Sequence, residues 1–420
     1  MRILFLTHYF PPEGNAPANR VYDLCKRWAR NGDEVHVITG VPNVPTGTVY
    51  EGYKNRLVQT ETTEGIKTTR VWTYVTANRG TIKRILNYVS YMLSASVVGL
   101  FVQKPDIVIA TSPQFFCGWA GIFTSRARRV PFILEVRDLW PDSIAAVGAI
   151  RNRFVLRLLK WLERKMYAAA QEIVTVGKGY EEELIRKEVE GAKISIIPNG
   201  VDRDIFYPRH AEEKIRQDCG LNHEFVCSYV GTIGMAGGLE VVLRTAKLLK
   251  DRQREDIKFL LVGAGAVADE LQREAHRQNL DNIVFLGRQD RRVVPGILSI
   301  SDACLVHLKK ARIFETVLPS KLFEACAMAK PIILGVEGYA ADFVRRVNAG
   351  ICIEPEDAEQ LLAAVVKLAD DPTLCRTLGQ AGHEYVMRHH DRDAIARDYQ
   401  NVIIRTCSQT RAKRERTVRV

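Results

Sequence analysis

The chain has 420 residues, 46% of them hydrophobic and 26% charged, which is ordinary globular usage and excludes a largely disordered or fibrous chain. At about 100–200 residues per domain, this length predicts two domains. Lys and Arg number 60 against 49 Asp and Glu, a net charge of +11 that directs attention to nucleic acid, an anionic membrane surface or an anionic substrate. The excess is uneven: residues 1–200 hold 27 basic and 18 acidic side chains, residues 201–404 hold 27 and 30, and residues 405–420 hold 6 and 1. Nine Cys occur without any C-x-x-C pair. Several lie inside apolar runs, which predicts buried thiols in a reducing cytosol, without disulfides or a zinc site.

The opening MRILFLTHYFPP has too short an apolar run for a signal peptide and reads as a first strand at 2–6. Next comes the loop Pro11-Pro12-Glu13-Gly14-Asn15 and a helical stretch near 15–31. Gly14 there would let a backbone approach a phosphate, or would simply make a strand-to-helix turn. Further strand-like runs lie at 34–39, 69–74, 106–111, 131–136, 172–176 and 194–198. They alternate with helical stretches near 81–103, 115–129, 151–169 and 178–188. Most strands are continuously apolar, the pattern of parallel strands buried on both faces. Residues 85–103 approach the length of a membrane span, but Asn87, Ser90, Ser94 and Ser96 interrupt them, which predicts a buried or interfacial helix.

At 135–143 the chain reads EVRDLWPDS. Charges at a strand end need partners or solvent, so Asp138 either faces a ligand or pairs with Arg137. In Ile150–Tyr167, Val155, Leu158, Leu159, Leu162 and Met166 recur on one helical face and Arg153, Arg157, Lys160 and Arg164 on another. Such a helix can lie on anionic lipid or pack on its own core.

Pro198-Asn199-Gly200 marks a turn between two sheets. The second half repeats the pattern with runs at 225–231, 257–263, 282–287, 303–308, 331–336 and 350–354. The expected domains are 1–198 and 199–390, followed by a helix at 391–406 that could pack on either and a basic tail at 407–420 expected to be disordered. Ligands of such sheets bind outside the carboxyl ends of the strands. Gly263, Gly265 and Ala268 match G-x-G-x-x-A, but they follow the second strand of their domain and no acid ends the next, so NAD is not expected. Residues 315–330, ETVLPSKLFEACAMAK, carry the strongest signal. Pro319 and Ser320 suit a helix start, with Ser320 as a cap, and Lys321 falls in the first turn. A diphosphate there would gain N–H donors, the helix dipole and an ammonium, while Glu324 could accept from two ribose hydroxyls. The D-x-D pairs Asp202/Asp204 and Asp391/Asp393 read as caps, and no metal is expected.

Together ILFLTHYFPPEG, EVRDLWPDS, IPNGVD, VGTIG, LVGAG, NIVFLG and PSKLFEA followed by AKPII resemble family 4 glycosyltransferases, over nearly all of 1–406. The branch most resembled is that of O-antigen N-acetylfucosamine transferase-like enzymes. The resemblance implies an α/β GT-B fold: two Rossmann-like domains with parallel sheets facing an interdomain cleft, the acceptor domain first and the donor domain second. It also implies retaining transfer from a nucleotide sugar, usually UDP-linked, with no cofactor and no metal. Carried over by position, Lys321 and Asp138 become the catalytic pair. Gly14 approaches the donor, Lys321 and the N–H groups around Ser320 hold the diphosphate, Glu324 holds the ribose, and Gly287-Arg288-Gln289 contacts the base. Asn15, Thr232, Glu315, Thr316 and Pro319 join the donor side. Arg137, Trp140, Arg153, Arg157, Lys160 and Arg164 fall on the acceptor or membrane side.

The chain also departs from the family pattern. Thr316 stands where many relatives have a second Glu, with Glu315 beside it; 231–238 has no basic residue; and Asn15 replaces a Gly. The expected reaction moves an N-acetylated hexosamine or deoxyhexosamine from UDP to a polyprenyl-diphosphate-linked acceptor, at the cytosolic face of an anionic membrane surface, in surface-polysaccharide or O-antigen assembly. No nucleic acid partner is expected. The rival readings are a UDP-sugar 2-epimerase-type enzyme and a non-catalytic binder of anionic lipid or nucleic acid.

Overall fold

A computed structural model describes residues 1–418 apart from 45, 77–80, 113, 147, 149 and 151. The chain divides into two compact units, residues 1–198 with 393–420 and residues 199–392.

The first unit runs β1 (Arg2–Leu6), α1 (Ala16–Arg30), β2 (Glu34–Gly40), β3 (Val58–Thr63), β4 (Ile66–Val71), α2 (Thr81–Phe101), β5 (Ile107–Thr111), α3 (Phe115–Arg128), β6 (Phe132–Val136), α4 (Asp142–Ala146), α5 (Arg153–Ala169), β7 (Glu172–Thr175), α6 (Lys178–Arg186) and β8 (Ile194–Ile196). Its sheet has the order β3-β4-β2-β1-β5-β6-β7-β8. β5 and β6 are buried at every residue, as their largely apolar runs require, with Glu135 the one charged residue among them. β3 corrects the all-parallel expectation, because it pairs antiparallel with β4. Glu64 and Gly65, with φ of 52° and 78°, make the tight turn that joins them. Its sequence, VQTETT, is too polar to read as a core strand, and as an edge strand it stays largely exposed.

The unit's centre holds a buried ion pair. Arg20 Nε lies 2.9 Å from Glu135 Oε1. The other guanidinium nitrogens donate to the carbonyls of Pro198 and Ile197 at 2.7 and 2.9 Å. Thr111 Oγ1 donates to Glu135 Oε2 at 2.6 Å. Burial alone would raise the Glu135 carboxyl, but Arg20, Arg137 and Thr111 outweigh it and hold the group below its usual range.

The second unit is wholly parallel, with strand order β11-β10-β9-β12-β13-β14. It comprises α7 (Glu213–Asp218), β9 (Phe225–Val230), α8 (Glu240–Asp251), β10 (Ile257–Val262), α9 (Ala268–Arg277), β11 (Ile283–Gly287), α10 (Val294–Ser299), β12 (Ala303–His307), α11 (Ser320–Ala327), β13 (Ile332–Gly335), α12 (Tyr339–Val347), β14 (Gly350–Cys352), α13 (Ala358–Asp370) and α14 (Pro372–His389). Cys227, Phe259, Leu261 and Ile333 pack on one face of the sheet with residues of α8 and α13. Cys304, Val306 and Leu334 pack on the other face with residues of α11 and α12. Strand order reverses between β9 and β12, which places a ligand crevice at their carboxyl ends.

The last helix, α15 (Arg392–Val418), overturns the expected loss of order after 406. Trp28 Nε1 donates to the Ala396 carbonyl at 3.0 Å, and the Trp28 and Tyr399 rings meet edge-on at 5.2 Å. Tyr399, Ile403 and Cys407 lie in the same core as Val21 and Cys25. That apolar stripe continues past 406, and Arg414 then donates to the Arg129 carbonyl at 2.8 Å. A basic composition therefore masks a helix anchored along one side. Residues 419–420 lie outside the described residues.

Candidate functional site

In the second unit, three strand-end loops are stitched together by backbone. Gly231 N–H donates to Val262 O at 2.9 Å, Ile233 N–H to Ala264 O at 3.1 Å, and Gly263 N–H to Gly287 O at 2.7 Å. A Cβ on Gly263 would stand 1.8 Å from Gly231 O, and one on Gly265 would stand 2.2 Å from Ile233 O. Gly263 also has a φ of +144°, which side chains rarely adopt. Close loop-to-loop packing thus accounts for the G-x-G pair.

Against these loops stands the N-terminus of α11. Pro319 occupies the cap position and no side chain among the described residues caps the helix, so Ser320 is the first helical residue rather than the cap. The first-turn N–H groups thus lack a side-chain cap. Lys321 Nζ lies 3.5 Å from the centroid of the Tyr229 ring. A Cβ on Gly231 would stand 2.9 Å from that nitrogen. The ammonium is therefore seated at the end of β9, over a residue with no side chain. An ammonium and a helix N-terminus at a strand-order reversal form an anion site.

Buried His307 braces this edge. Its Nδ1 lies 2.7 Å from Gly237 O, which can only accept, and its Nε2 accepts the Glu356 N–H at 2.9 Å. The partners assign the neutral ring with hydrogen on Nδ1, and burial lowers its pKa accordingly. Thr232 is exposed, and its carbonyl accepts the Tyr229 hydroxyl at 2.9 Å. Thr316 is buried and its hydroxyl donates to Ile313 O at 2.7 Å, whereas neighbouring Glu315 is exposed. Glu324 sits half-buried in α11 nearly one turn beyond Lys321. Arg288 is exposed after Gly287, whose φ of +63° allows the turn there.

In the first unit, Gly14 is exposed at the end of the β1 loop. The Asn15 side chain caps α1 by accepting the Ala18 N–H at 2.9 Å. The sequence reading missed Glu13, whose Oε1 accepts the N–H groups of Asn43 and Val44 at 3.0 Å each and so ties the β1 and β2 loops together. Burial lifts this carboxyl to about 7, against the hydrogen bonds that lower it. A carboxyl raised in the folded state costs stability as pH climbs from about 4.5 to about 7. Glu13→Gln is expected to flatten that decline, measured by urea denaturation at pH 5 and pH 8.

The Ser112 hydroxyl accepts the N–H groups of Arg137 and Asp138 at 2.8 and 3.2 Å. Arg137 faces Glu135 and Arg20; among the described residues its buried Nε and Nη1 have no hydrogen-bond partner, and burial pulls its pKa down to about 10. Asp138 is half-buried, and burial raises its carboxyl against the influence of Ser143, the Leu139 N–H and Lys187. Lys187 joins Asp142 at 2.6 Å and Glu163 at 2.5 Å, and Lys160 pairs with Asp142 at 2.9 Å. Trp140 is only 8% exposed, with its ring 4.5 Å from Phe115, so it belongs to the core rather than to an acceptor or membrane surface. His8, also missed, is buried against the edges of Tyr9, Tyr88 and Tyr91, and burial lowers its pKa to about 4.

The apolar face expected for α5 is split. Leu159, Glu163, Met166 and Tyr167 point inward, with the Tyr167 hydroxyl donating to Glu163 at 2.7 Å. Val155 and Leu158 instead point outward with Phe154 and Trp161, among exposed Arg153, Arg157, Lys160 and Arg164. The polar Glu163 and Tyr167 take core positions because they satisfy one another and Lys187. In α2, Tyr91 donates to Ile38 O and Asn87 to Tyr74 O, while Leu86, Leu93, Val97, Leu100 and Phe101 are exposed. Lys83–Phe101 is long and apolar enough to cross a membrane by length and composition.

Family models match both halves: the glycosyl transferase 4-like domain over residues 15–200 and glycosyl transferases group 1 over residues 211–385. The chain is built from two glycosyltransferase domains. It is 27% identical over 423 residues to a protein named as a colanic acid biosynthesis glycosyl transferase, WcaI, of Escherichia coli K12, covering 96% of this chain and 100% of that one. It is 26% identical over 280 residues to the Escherichia coli UDP-Gal:alpha-D-GlcNAc-diphosphoundecaprenol alpha-1,3-galactosyltransferase, covering 65% and 68% of the two chains. Among solved structures, sucrose-phosphate synthase of Thermosynechococcus elongatus superposes with a TM-score of 0.76 at 18% identity, over 97% of this chain and 99% of that one. Anabaena HepE in complex with UDP and glucose superposes at 0.71 and 16%, over 96% and 99%. This glycosyltransferase has the GT-B fold of α/β domains with parallel sheets, and its relatives place it in bacterial polysaccharide biosynthesis.

Proposed function

We propose that this glycosyltransferase moves an N-acetylated hexosamine or deoxyhexosamine, with retention, from a UDP-sugar to a polyprenyl-diphosphate-linked glycan in O-antigen or related surface-polysaccharide assembly. The branch is the N-acetylfucosamine transferase-like one that the sequence resembles. The observation that carries the proposal is the Lys321 ammonium seated beside the N-terminus of α11 and the 231–238 loop. A diphosphate leaving group carries its developing charge to that spot. Supporting it, HepE of the same fold holds UDP, and one relative is named for a diphosphoundecaprenol-linked acceptor.

In the mechanism, the acceptor hydroxyl attacks on the face the diphosphate departs from, within a tight ion pair. Lys321 and the N–H groups at Ser320 stabilise the departing diphosphate, without a metal. Glu324 accepts from the ribose, Arg288 and Gln289 border the base, and Gly14 gives the donor close backbone approach. Asp138 meets the transferred sugar or the acceptor hydroxyl, and its raised pKa suits a group that exchanges a proton there. The test is UDP release from a panel of UDP-sugars with and without a polyprenyl-diphosphate-linked glycan. Release that depends on acceptor is expected. Equal release without acceptor would overturn transfer in favour of an epimerase-type reaction.

Membrane contact is part of the proposal, at the cytosolic face. Phe154, Leu158 and Trp161 are exposed among Arg153, Arg157 and Arg164, a combination suited to anionic headgroups. The protein is expected to float with phosphatidylglycerol vesicles at low salt. Leu158→Glu with Trp161→Glu is expected to abolish flotation while leaving turnover on a soluble acceptor intact.

A further inference from the structure

Lys321 depends on a partner from a distant strand. Its side chain rises from the first turn of α11 and ends 3.5 Å from the ring centroid of Tyr229, on β9. That ring is 3% exposed, and its hydroxyl donates to Thr232 O at 2.9 Å. The same hydroxyl lies near the far end of the loop, 3.6 Å from where a Cβ on Gly237 would stand. Gly231, between ring and loop, has no side chain, and any Cβ there would crowd Lys321 Nζ and Cε at 2.9 and 3.1 Å. One buried aromatic residue therefore contacts the ammonium through its face and the 231–238 loop through its hydroxyl. A desolvated ring face attracts an ammonium. A Lys on a flexible four-carbon stem is otherwise free to sample many rotamers, each of which must be frozen out when an anion binds.

We infer that Tyr229 is a positioning residue for donor binding: its ring holds Lys321 at the diphosphate site before the donor arrives, and its hydroxyl keeps the 231–238 loop in register with that ammonium. This rests on the reading that Lys321 holds the diphosphate. Ring and hydroxyl are separable, because Phe keeps the face and loses the bond to Thr232, whereas Leu loses both.

The test titrates the full chain with UDP and with uridine by calorimetry, or with GDP and guanosine if the wild type binds those more tightly. The variants are Tyr229→Phe, Tyr229→Leu, Lys321→Ala and the Tyr229→Leu/Lys321→Ala double. The ratio of diphosphate to nucleoside affinity reports the phosphate contacts alone. Lys321→Ala is expected to lower that ratio. Tyr229→Phe is expected to keep it within about twofold, and Tyr229→Leu to cut it about five- to twentyfold. The double variant is expected to match Lys321→Ala. An unchanged ratio in Tyr229→Leu overturns the inference, and so does a parallel fall in nucleoside affinity, which marks a purely structural role. A double variant weakened by the product of the single effects overturns it too. If Lys321→Ala itself leaves the ratio unchanged, or no diphosphate binds, the Lys321 reading falls and takes this inference with it.

Discussion

Lys321→Ala is expected to lower kcat by roughly 10²–10³-fold, about 2–4 kcal/mol of lost transition-state stabilisation. The ammonium lies at the mouth of the β9 loop, and the 231–238 loop carries no second basic side chain to replace it. A group that meets charge mainly as the diphosphate departs affects kcat more than KM. Lys321→Arg keeps the charge, but its planar fork does not match a seat fitted to a compact ammonium over Gly231, so partial activity is expected. Lys321 is half-buried in the first turn of a helix, so its loss is expected to leave the melting temperature within a few degrees. Near-normal turnover of the alanine variant with saturating donor and acceptor would remove Lys321 from catalysis.

Glu135→Ala is expected to destabilise the first unit by about 3–5 kcal/mol, because it removes the buried carboxylate that Arg20 and Arg137 face. For a unit of this size that corresponds to a fall of roughly 10 °C in melting temperature, readable by calorimetry. Glu135→Gln keeps an acceptor for Thr111 and Arg20, so a smaller loss is expected. The pH dependence follows from a carboxyl held below its usual 4.5 in the fold. Its stabilisation is complete above the unfolded value and disappears as pH falls through the folded one. The gap between wild type and Glu135→Gln should therefore narrow as pH falls below about 4.5. A constant gap down to pH 3 would show that shape rather than charge is lost.

Much of the architecture is visible in short stretches of chain. β5, β6, β9 and β10 are largely apolar runs, and the LPSK helix start is written in neighbouring residues. β3 escaped because VQTETT resembles a loop, and pairing with β4 alone makes it a strand. The helical tail escaped because its charge obscured Tyr399, Ile403 and Cys407 on one face. Asn15 and Ser320 illustrate a different limit, since each residue type both caps helices and contacts phosphates, and only the backbone geometry assigns the cap. Glu13, His8, His307 and Tyr229 carry no local signature; each is defined by what packs against it.

Length and the alternation of apolar runs with helical stretches determined two α/β units, and the charge count assigned the basic excess to the first half and the C-terminal segment. They did not determine which charges are available to a partner. Glu135 and Arg20 are separated by 115 positions and become one buried pair only because β6 and α1 meet in the fold. Lys160 is taken up by Asp142, while Arg153, Arg157 and Arg164 remain exposed beside Phe154 and Trp161. Lys321 acquires its place from Tyr229, on a strand far back in the chain. Periodicity and turn chemistry act over a few residues and are legible locally. Strand order and crossover helices decide which distant side chains share a low-dielectric site, and that sharing turns a net charge into a catalytic cation or a structural ion pair.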